Sequence, residues 1–417
     1  MSAQLTVGLA TLRGSRARAL IAGLPWWAKV LAVYAIARLV SALILMVVAS
    51  SQVASMWTPA SPSYLQYTGL MWDGSWYQDV AEHGYPHELP LNSTGAVRQN
   101  PWAFYPLFPA LARVVMAVTG APWQDVAPIL ALLLGAAAML VIYRLIQVGA
   151  PRAVAGRRRL PLVAVALASF FPTSVVLQTA YTESLALLLI ASLLLALVHR
   201  RYAVATALVL ALGLTRAVAL PMAIVVGVHA YARWRAARAG RDRLERRDVV
   251  GLGALLVGCG IAGFGWQVVC AVVTGVPDGY LQTQAAWRGR PDVVPFVPWL
   301  DIARWRFGDW GPLVLVVVLA VFVALLTCPP ARRLGVELRT WPAAYLAYLV
   351  AVIEPGTSLA RFLLLAFPFA AITAGMVTRP TSWRRAWFAA VLVVMVLLQI
   401  GWVWTLWRFV PPSGWPP

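Results

Sequence analysis

Lysine is almost missing from this chain: of 34 basic residues only Lys29 is not arginine. Acids are scarce too, 15 in 417 residues, and charged residues of both signs reach only 12%. A soluble domain carries about a quarter charged and about half apolar residues. A chain that is 12% charged and 61% hydrophobic therefore has far more apolar surface than a soluble core uses. Cysteine is rare as well. Cys259, Cys270 and Cys328 lie in or at the ends of apolar runs. None has CxxC or Cys/His spacing, which excludes a zinc site and a disulfide framework. The sequence also lacks an internal repeat or a pair of similar halves. The residues before the first apolar run lack a small-residue cleavage site, so that run, after Trp26-Trp27, is expected to be a retained helix.

What is present is a series of apolar runs close to the roughly 20 residues that cross a bilayer. They predict an all-α polytopic membrane protein of about ten or eleven transmembrane helices. A net charge of +19 invites a nucleic-acid reading, but the arginines sit in short connectors between the apolar runs. That is the positive-inside pattern, and it excludes nucleic acid as a partner. Cytoplasmic connectors then hold Arg13, Arg16, Arg18 and Lys29; Arg152 and Arg157 to Arg159; Arg200-Arg201; the seven arginines from Arg233 to Arg247; Arg332, Arg333 and Arg339; and Arg379, Arg384 and Arg385. Arginine in place of lysine, with abundant Ala and Val, is the pattern of a GC-rich genome and points to a bacterial plasma membrane. Segments 51–104 and 275–310 fall outside. The first carries Asp73, Asp79, Glu82 and Glu88 against Arg98, and the second balances four acids with four arginines.

Parity exposes two irregular places. The stretch between Arg200-Arg201 and Arg233 has both flanks inside, so it is expected to form two short helices, about 203–214 and 217–230, with Thr215-Arg216 at the turn. Residues 104–119, broken by Pro106 and Pro109, are expected to dip in or lie along the outer surface. Irregular backbone at membrane depth needs protein or a water-filled cavity to satisfy it, so both places are candidate cavity walls. The Trp-rich end (Trp402, Trp404, Trp407, Trp415) reads as an outer aromatic belt.

Ionisable residues at membrane depth are functional candidates by default. Arg38 stands about ten residues into the first span, where pairing for packing is the plain alternative. Asp73 opens an expected surface helix over 73–83, which places Trp76, Tyr77 and Val80 on its face and turns Asp79 and Glu82 away. A carboxylate on an aromatic, partly desolvated face suits a general base, and aromatic faces suit sugar rings; a helix cap is the alternative role. Glu183, in Ala180-Tyr181-Thr182-Glu183-Ser184, complements a helix dipole if nothing more. Arg361 follows Glu354-Pro355-Gly356-Thr357-Ser358 at an outer helix start, against both the dipole preference and the positive-inside rule. A lipid-linked phosphate would use it, since arginine grips phosphate oxygens bidentately; an ion pair with Glu354 is the alternative.

Five segments together resemble the PIG-V family of GPI mannosyltransferase II proteins, within the GT-C class of membrane glycosyltransferases. They are Ala37-Arg38-Leu39; Trp72-Asp73 with Val80-Ala81-Glu82-His83-Gly84-Tyr85; Ala103-Phe104-Tyr105-Pro106-Leu107-Phe108-Pro109; Phe171-Pro172-Thr173-Ser174-Val175 with Tyr181-Thr182-Glu183-Ser184-Leu185; and Gly213-Leu214-Thr215-Arg216. The resemblance covers residues 1–230 of a single membrane domain, and residues 231–417 carry no motif of it. It implies a GT-C-like bundle with a large first extracytoplasmic loop bearing membrane-surface helices. It also implies an inverting transfer of mannose from a polyprenyl-phosphate donor to a lipid or glycan acceptor on the outer face. Asp73 falls on the family's loop aspartate, the expected base, and Glu88 on a second loop acid, although the stretch from Tyr85 to Phe104 is longer than the family's. After Arg216 the chain reads Ala-Val-Ala where the family often has Ser-Asn-Gly. Arg361, Arg216 and Arg38 are then candidate donor-phosphate contacts, and Trp72, Trp76, Tyr77, Glu88, Tyr181 and Glu183 candidate substrate contacts. No cofactor is called for. A divalent metal is not indicated either, because the outer loops hold no DxD and no His/carboxylate cluster. A transporter or flippase for a lipid-linked substrate is the rival class, and the same enzyme class with another sugar is a third reading.

Overall fold

Long apolar runs with few breakers have one way to satisfy their backbone away from water, which is to close hydrogen bonds within a helix. The computed structural model describes residues 23–290, 294–377 and 381–411, and among them the regular structure is helical, with one isolated bridge between Leu91 and Val97. Arg13, Arg16, Arg18, Arg379 and Trp415 lie outside the described residues.

Five helical stretches among the described residues are long and apolar enough to cross a membrane: Trp26–Ala49, Trp123–Gly149, Arg246–Thr274, Val297–Thr327 and Thr381–Trp407. The expected ten or eleven crossings are therefore not all full-length helices. The difference comes from punctuation. The run after Arg159 stops as a helix at Ser169, turns through a short 3-10 segment, Ser174–Gln178, and resumes as Glu183–Val198. Segment 275–310, expected as an outer loop, is itself helical: Gly279–Arg288 is followed by Val297–Phe307, which leads through Gly308 into Gly311–Thr327.

Several spans are apolar all round, as lipid-facing helices are. Arg246–Thr274 buries Leu255, Cys259, Ala262 and Cys270, yet exposes Val257, Ile261, Val268 and Val272. Lipid tails are as apolar as leucine, so close packing rather than the hydrophobic effect joins such helices. Small residues supply it here. A Cβ on Gly213 would come within 2.5 Å of the Ala262 carbonyl oxygen, so Tyr202–Gly213 and Arg246–Thr274 meet almost backbone to backbone.

The expected pair of short helices forms as Tyr202–Gly213 and Leu220–Arg238, with Thr215-Arg216 between them. The second runs eight residues past the expected 230 because Arg233 is held by Asp242 at 3.0 Å and Asp248 at 3.0 Å, so the arginine-rich connector is folded onto the helix. The 104–119 segment is a helix, Leu107–Thr119, that buries Phe108, Pro109 and Ala112. These two irregular places touch: the Leu107 N–H donates to the Leu214 carbonyl at 2.8 Å. The carboxy-terminal belt is corrected in part. Trp404 is exposed, but Trp402 and Trp407 are buried in the protein, where the Trp407 carbonyl accepts from Trp72 Nε1.

Candidate functional site

Asp73 is the first residue of the helix Asp73–His83, where the dipole favours a carboxylate, and the N-cap before it supplies no capping side-chain hydrogen bond. The residue before it, Trp72, is the N-cap and has φ 57°. A bulky side chain rarely adopts that left-handed conformation, and strain of this kind persists only where the surroundings over-determine it. Here they do. Trp72 donates to the Trp407 carbonyl at 2.7 Å, and its ring packs on Trp57 and Phe409. The next residue is Gly74, where a Cβ would sit 2.6 Å from the Gly69 carbonyl oxygen. Strain on one side and a forced glycine on the other fix where Asp73 points.

Four charged side chains meet there. Arg361 Nη2 reaches Asp73 Oδ2 at 2.6 Å, and its Nη1 reaches Glu183 Oε1 at 2.8 Å. Arg216 Nη1 approaches the same Glu183 oxygen at 2.6 Å and Thr182 Oγ1 at 3.2 Å. Arg361 also lies over the Tyr181 ring at 4.9 Å, and Arg216 over Phe362 at 4.6 Å. Glu354, the alternative partner for Arg361, pairs instead with Arg290 at 2.7 Å.

The four are unequally open. Glu183 is fully buried, and its Oε2, like Arg361 Nε, is buried without a hydrogen-bond partner among the described residues. Incomplete satisfaction of this kind is rare enough in native structures to need an explanation. Asp73 is about 13% exposed, and among the described residues only its Oδ2 is engaged. Arg216 is also about 13% exposed, and both its side-chain hydrogen bonds use Nη1. Burial raises the Asp73 carboxyl above the ordinary carboxylate range, against the opposing pull of Arg361.

Asp73, Arg216 and Arg361 line one cavity of about 300 Å³ whose other walls are largely aromatic, with Tyr77, Phe104, Tyr280, Trp287, Tyr345 and Tyr348 among them and Gln284 and Ser358 as polar members. Trp76 stands behind that wall, stacked on Phe104 at 5.7 Å and edge-on to Trp287 at 5.3 Å. Tyr181 lies under Arg361. Arg38 is elsewhere in the protein, donating to the carbonyls of Ser174 and Ser169 and to Ser174 Oγ. Glu88 is exposed and does not line the cavity, and Trp72 does not line it either, standing as the N-cap before Asp73. Sequence reasoning missed Tyr280, Trp287, Tyr345 and Tyr348, all beyond residue 230. The one available signal was Tyr345 and Tyr348 at i, i+3 on a single helix, Val336–Val352.

A second, apolar groove of about 480 Å³ runs alongside, lined by Phe171, Pro172, Leu363, Leu397, Leu398 and Trp402 among others. The short helix Leu359–Phe362 divides the two: Ala360 faces the groove, while Arg361 and Phe362 face the cavity.

No protein-family model matches the chain, and no curated protein does. Among solved structures, an oligosaccharyltransferase of Archaeoglobus fulgidus is similar in three forms. The apo form gives a TM-score of 0.49 at 15% identity over 93% of this chain and 56% of that chain. The form tethered with an acceptor peptide gives 0.48 at 14%, over 90% and 55%. The complex with an inhibitory peptide and a dolichol-phosphate gives 0.48 at 14%, over 94% and 57%. This chain thus spans little more than half the length of those proteins. Likeness at that level assigns neither a family nor an activity.

Proposed function

We propose that the chain is a membrane glycosyltransferase of the GT-C class, which moves a sugar, mannose on the PIG-V resemblance, from a polyprenyl-phosphate donor to a lipid or glycan acceptor. The observation that carries this reading is a carboxylate with one oxygen, Asp73 Oδ1, free of hydrogen-bond partners among the described residues, beside a partly free guanidinium, Arg216, in an aromatic cavity divided from an apolar groove by a single helical turn. Those are the three surfaces a prenyl-phosphate sugar requires: an apolar channel for the tail, a cation for the phosphate, and aromatic walls for the ring.

The chemistry follows from the roles. Asp73 Oδ1 takes the proton of the acceptor hydroxyl, and that oxygen attacks the anomeric carbon from the face opposite the phosphate. The anomeric carbon–oxygen bond breaks and its electron pair leaves with the prenyl phosphate, so configuration inverts. Arg216, with Nη2 free of protein partners among the described residues, is placed to take the growing phosphate charge. Arg361 already spends its two terminal nitrogens on Asp73 and Glu183. We assign it to holding Asp73 in place. Glu183 in turn fixes both arginines.

The test is transfer of labelled sugar from polyprenyl-phosphate mannose to extracted membrane lipids or glycans by purified protein, with the glucose and arabinofuranose donors in parallel. Transfer from mannose alone supports the whole reading. Transfer from another donor keeps the class and changes the sugar. No transfer from any donor, with vesicle uptake of a lipid-linked substrate instead, replaces the enzyme with a transporter.

A further inference from the structure

A second cavity of about 300 Å³ is lined by Arg157, Arg333 and Arg384 together with Leu160, Pro330 and Gly375. The three arginines come from three connectors far apart in sequence, all of which the arginine distribution assigns to the cytoplasmic side. No carboxylate lines the cavity, and none pairs with any of the three among the described residues. Arg157 spends Nη1 on the Ala374 carbonyl, and its Nη2 is buried with no hydrogen-bond partner among the described residues. Among the described residues Arg384 reaches only Thr381 Oγ1, at 3.1 Å and near solvent. Burial lowers the Arg157 guanidinium from its ordinary range, and Arg384 and Arg333 push it the same way.

Three uncompensated guanidinium groups around one concavity repel one another, and a chain gains nothing from gathering them there unless an anion completes the set. Arginine forks match the oxygens of phosphate bidentately, and a phosphate dianion answers more than one of these positive charges at once. We propose that this cavity binds a phosphate group, carried by an anionic lipid headgroup or free in solution. It is separate from the donor-phosphate position proposed above, since it shares no lining residue with the aromatic cavity.

The experiment uses the full chain in phosphatidylcholine nanodiscs and follows the thermal unfolding midpoint. One arm adds inorganic phosphate at ionic strength held constant with chloride. The other replaces part of the lipid with phosphatidylglycerol. A saturable rise in either arm is expected, and the arm that responds identifies the source. Arg333→Gln and Arg384→Gln should each weaken the response about tenfold in apparent affinity, the loss of one charge-assisted contact. Arg333→Lys and Arg384→Lys keep the charge and should fall between, which also guards against variants that fail to fold. A rise that chloride reproduces, no saturable rise in either arm, or Gln variants that respond like wild type would each overturn the proposal.

Discussion

Two cavities of about 300 Å³ in this protein are built around arginine, and they differ in what balances the charge. In the aromatic cavity Arg216 and Arg361 meet Asp73 and Glu183 in a connected cluster with as many acids as bases. In the other, Arg157, Arg333 and Arg384 meet no acid among the described residues. A neutral buried cluster is a rigid frame: removing one member strands a charge in a low-dielectric site. An uncompensated cluster is a receptor, whose missing partner comes from outside. The same residue type thus reads as scaffold in one place and as a recognition element in the other, and the distinction rests on neighbours contributed by distant segments.

The strongest way to break the first half of that comparison is Asp73→Asn. Deprotonating an attacking hydroxyl contributes about 10²–10⁴-fold in rate. The amide keeps the shape and leaves Glu183 to hold Arg361, so the variant should insert and bind donor while losing turnover by about that factor. Transfer measured at matched protein level checks it, and wild-type turnover would remove Asp73 from the chemistry. The pH profile sharpens the same point. Because burial raises the Asp73 carboxyl, more of it is protonated, and inactive as a base, at a given acidic pH. Activity should therefore rise with pH along a limb that lies above the ordinary carboxylate range. A limb at or below that range would assign the base elsewhere.

Arg361→Ala attacks the frame itself. It leaves Asp73 without its cation and Glu183 with Arg216 alone. Breaking a buried ion pair by removing one partner costs about 3–5 kcal/mol. The unfolding midpoint should fall sharply, and donor binding and turnover should fall together. If Arg361→Ala lost donor affinity with stability intact, Arg361 would be a phosphate ligand and not a clamp. Arg216→Ala also takes one of the two partners from buried Glu183, so its midpoint should fall as well, and what separates it from Arg361→Ala is the donor contact. Its charge-assisted contact to the donor phosphate is worth about 1.5–3 kcal/mol, read as weaker donor binding with Asp73 still held by Arg361.

Much of the frame was legible in the sequence, because its parts obey local rules. The surface helix over 73–83 follows from the placing of apolar and polar residues, and the break at Thr215-Arg216 follows from arginines on both flanks of one apolar run. Asp73, Glu183 and Arg361 each stood out as a charge in an awkward place, as Arg38 did, and Arg216 stood out at the expected turn. That they meet was not legible, because 288 residues separate Asp73 from Arg361 and no local pattern encodes a pairing at that distance. The aromatic wall stayed hidden for a related reason: tyrosine and tryptophan are ordinary in apolar helices, and only the fold shows which of them face a cavity. The short 3-10 segment Ser174–Gln178, between the helices Leu160–Ser169 and Glu183–Val198, was not legible, because hydropathy does not register the turns that divide an apolar run.

The smallest expected effect concerns the second cavity without its ligand, and it bears most directly on the comparison. Arg333 is exposed at the rim and pairs with no acid among the described residues. In phosphate-free buffer and neutral lipid, Arg333→Gln removes a like charge facing Arg157 and breaks no ion pair. Surface substitutions away from special features stay within about 0.5 kcal/mol, and relief of repulsion places the expected shift on the stabilising side. The gain should shrink as salt is added, because exposed charges more than about 10 Å apart are largely screened at 0.1 M and nearer exposed ones partly so. Thermal unfolding of wild type and variant at low and high salt measures both the sign and the trend. A destabilised variant would mean that Arg333 has a structural partner, and the contrast between frame and receptor would then rest on Arg157 and Arg384 alone.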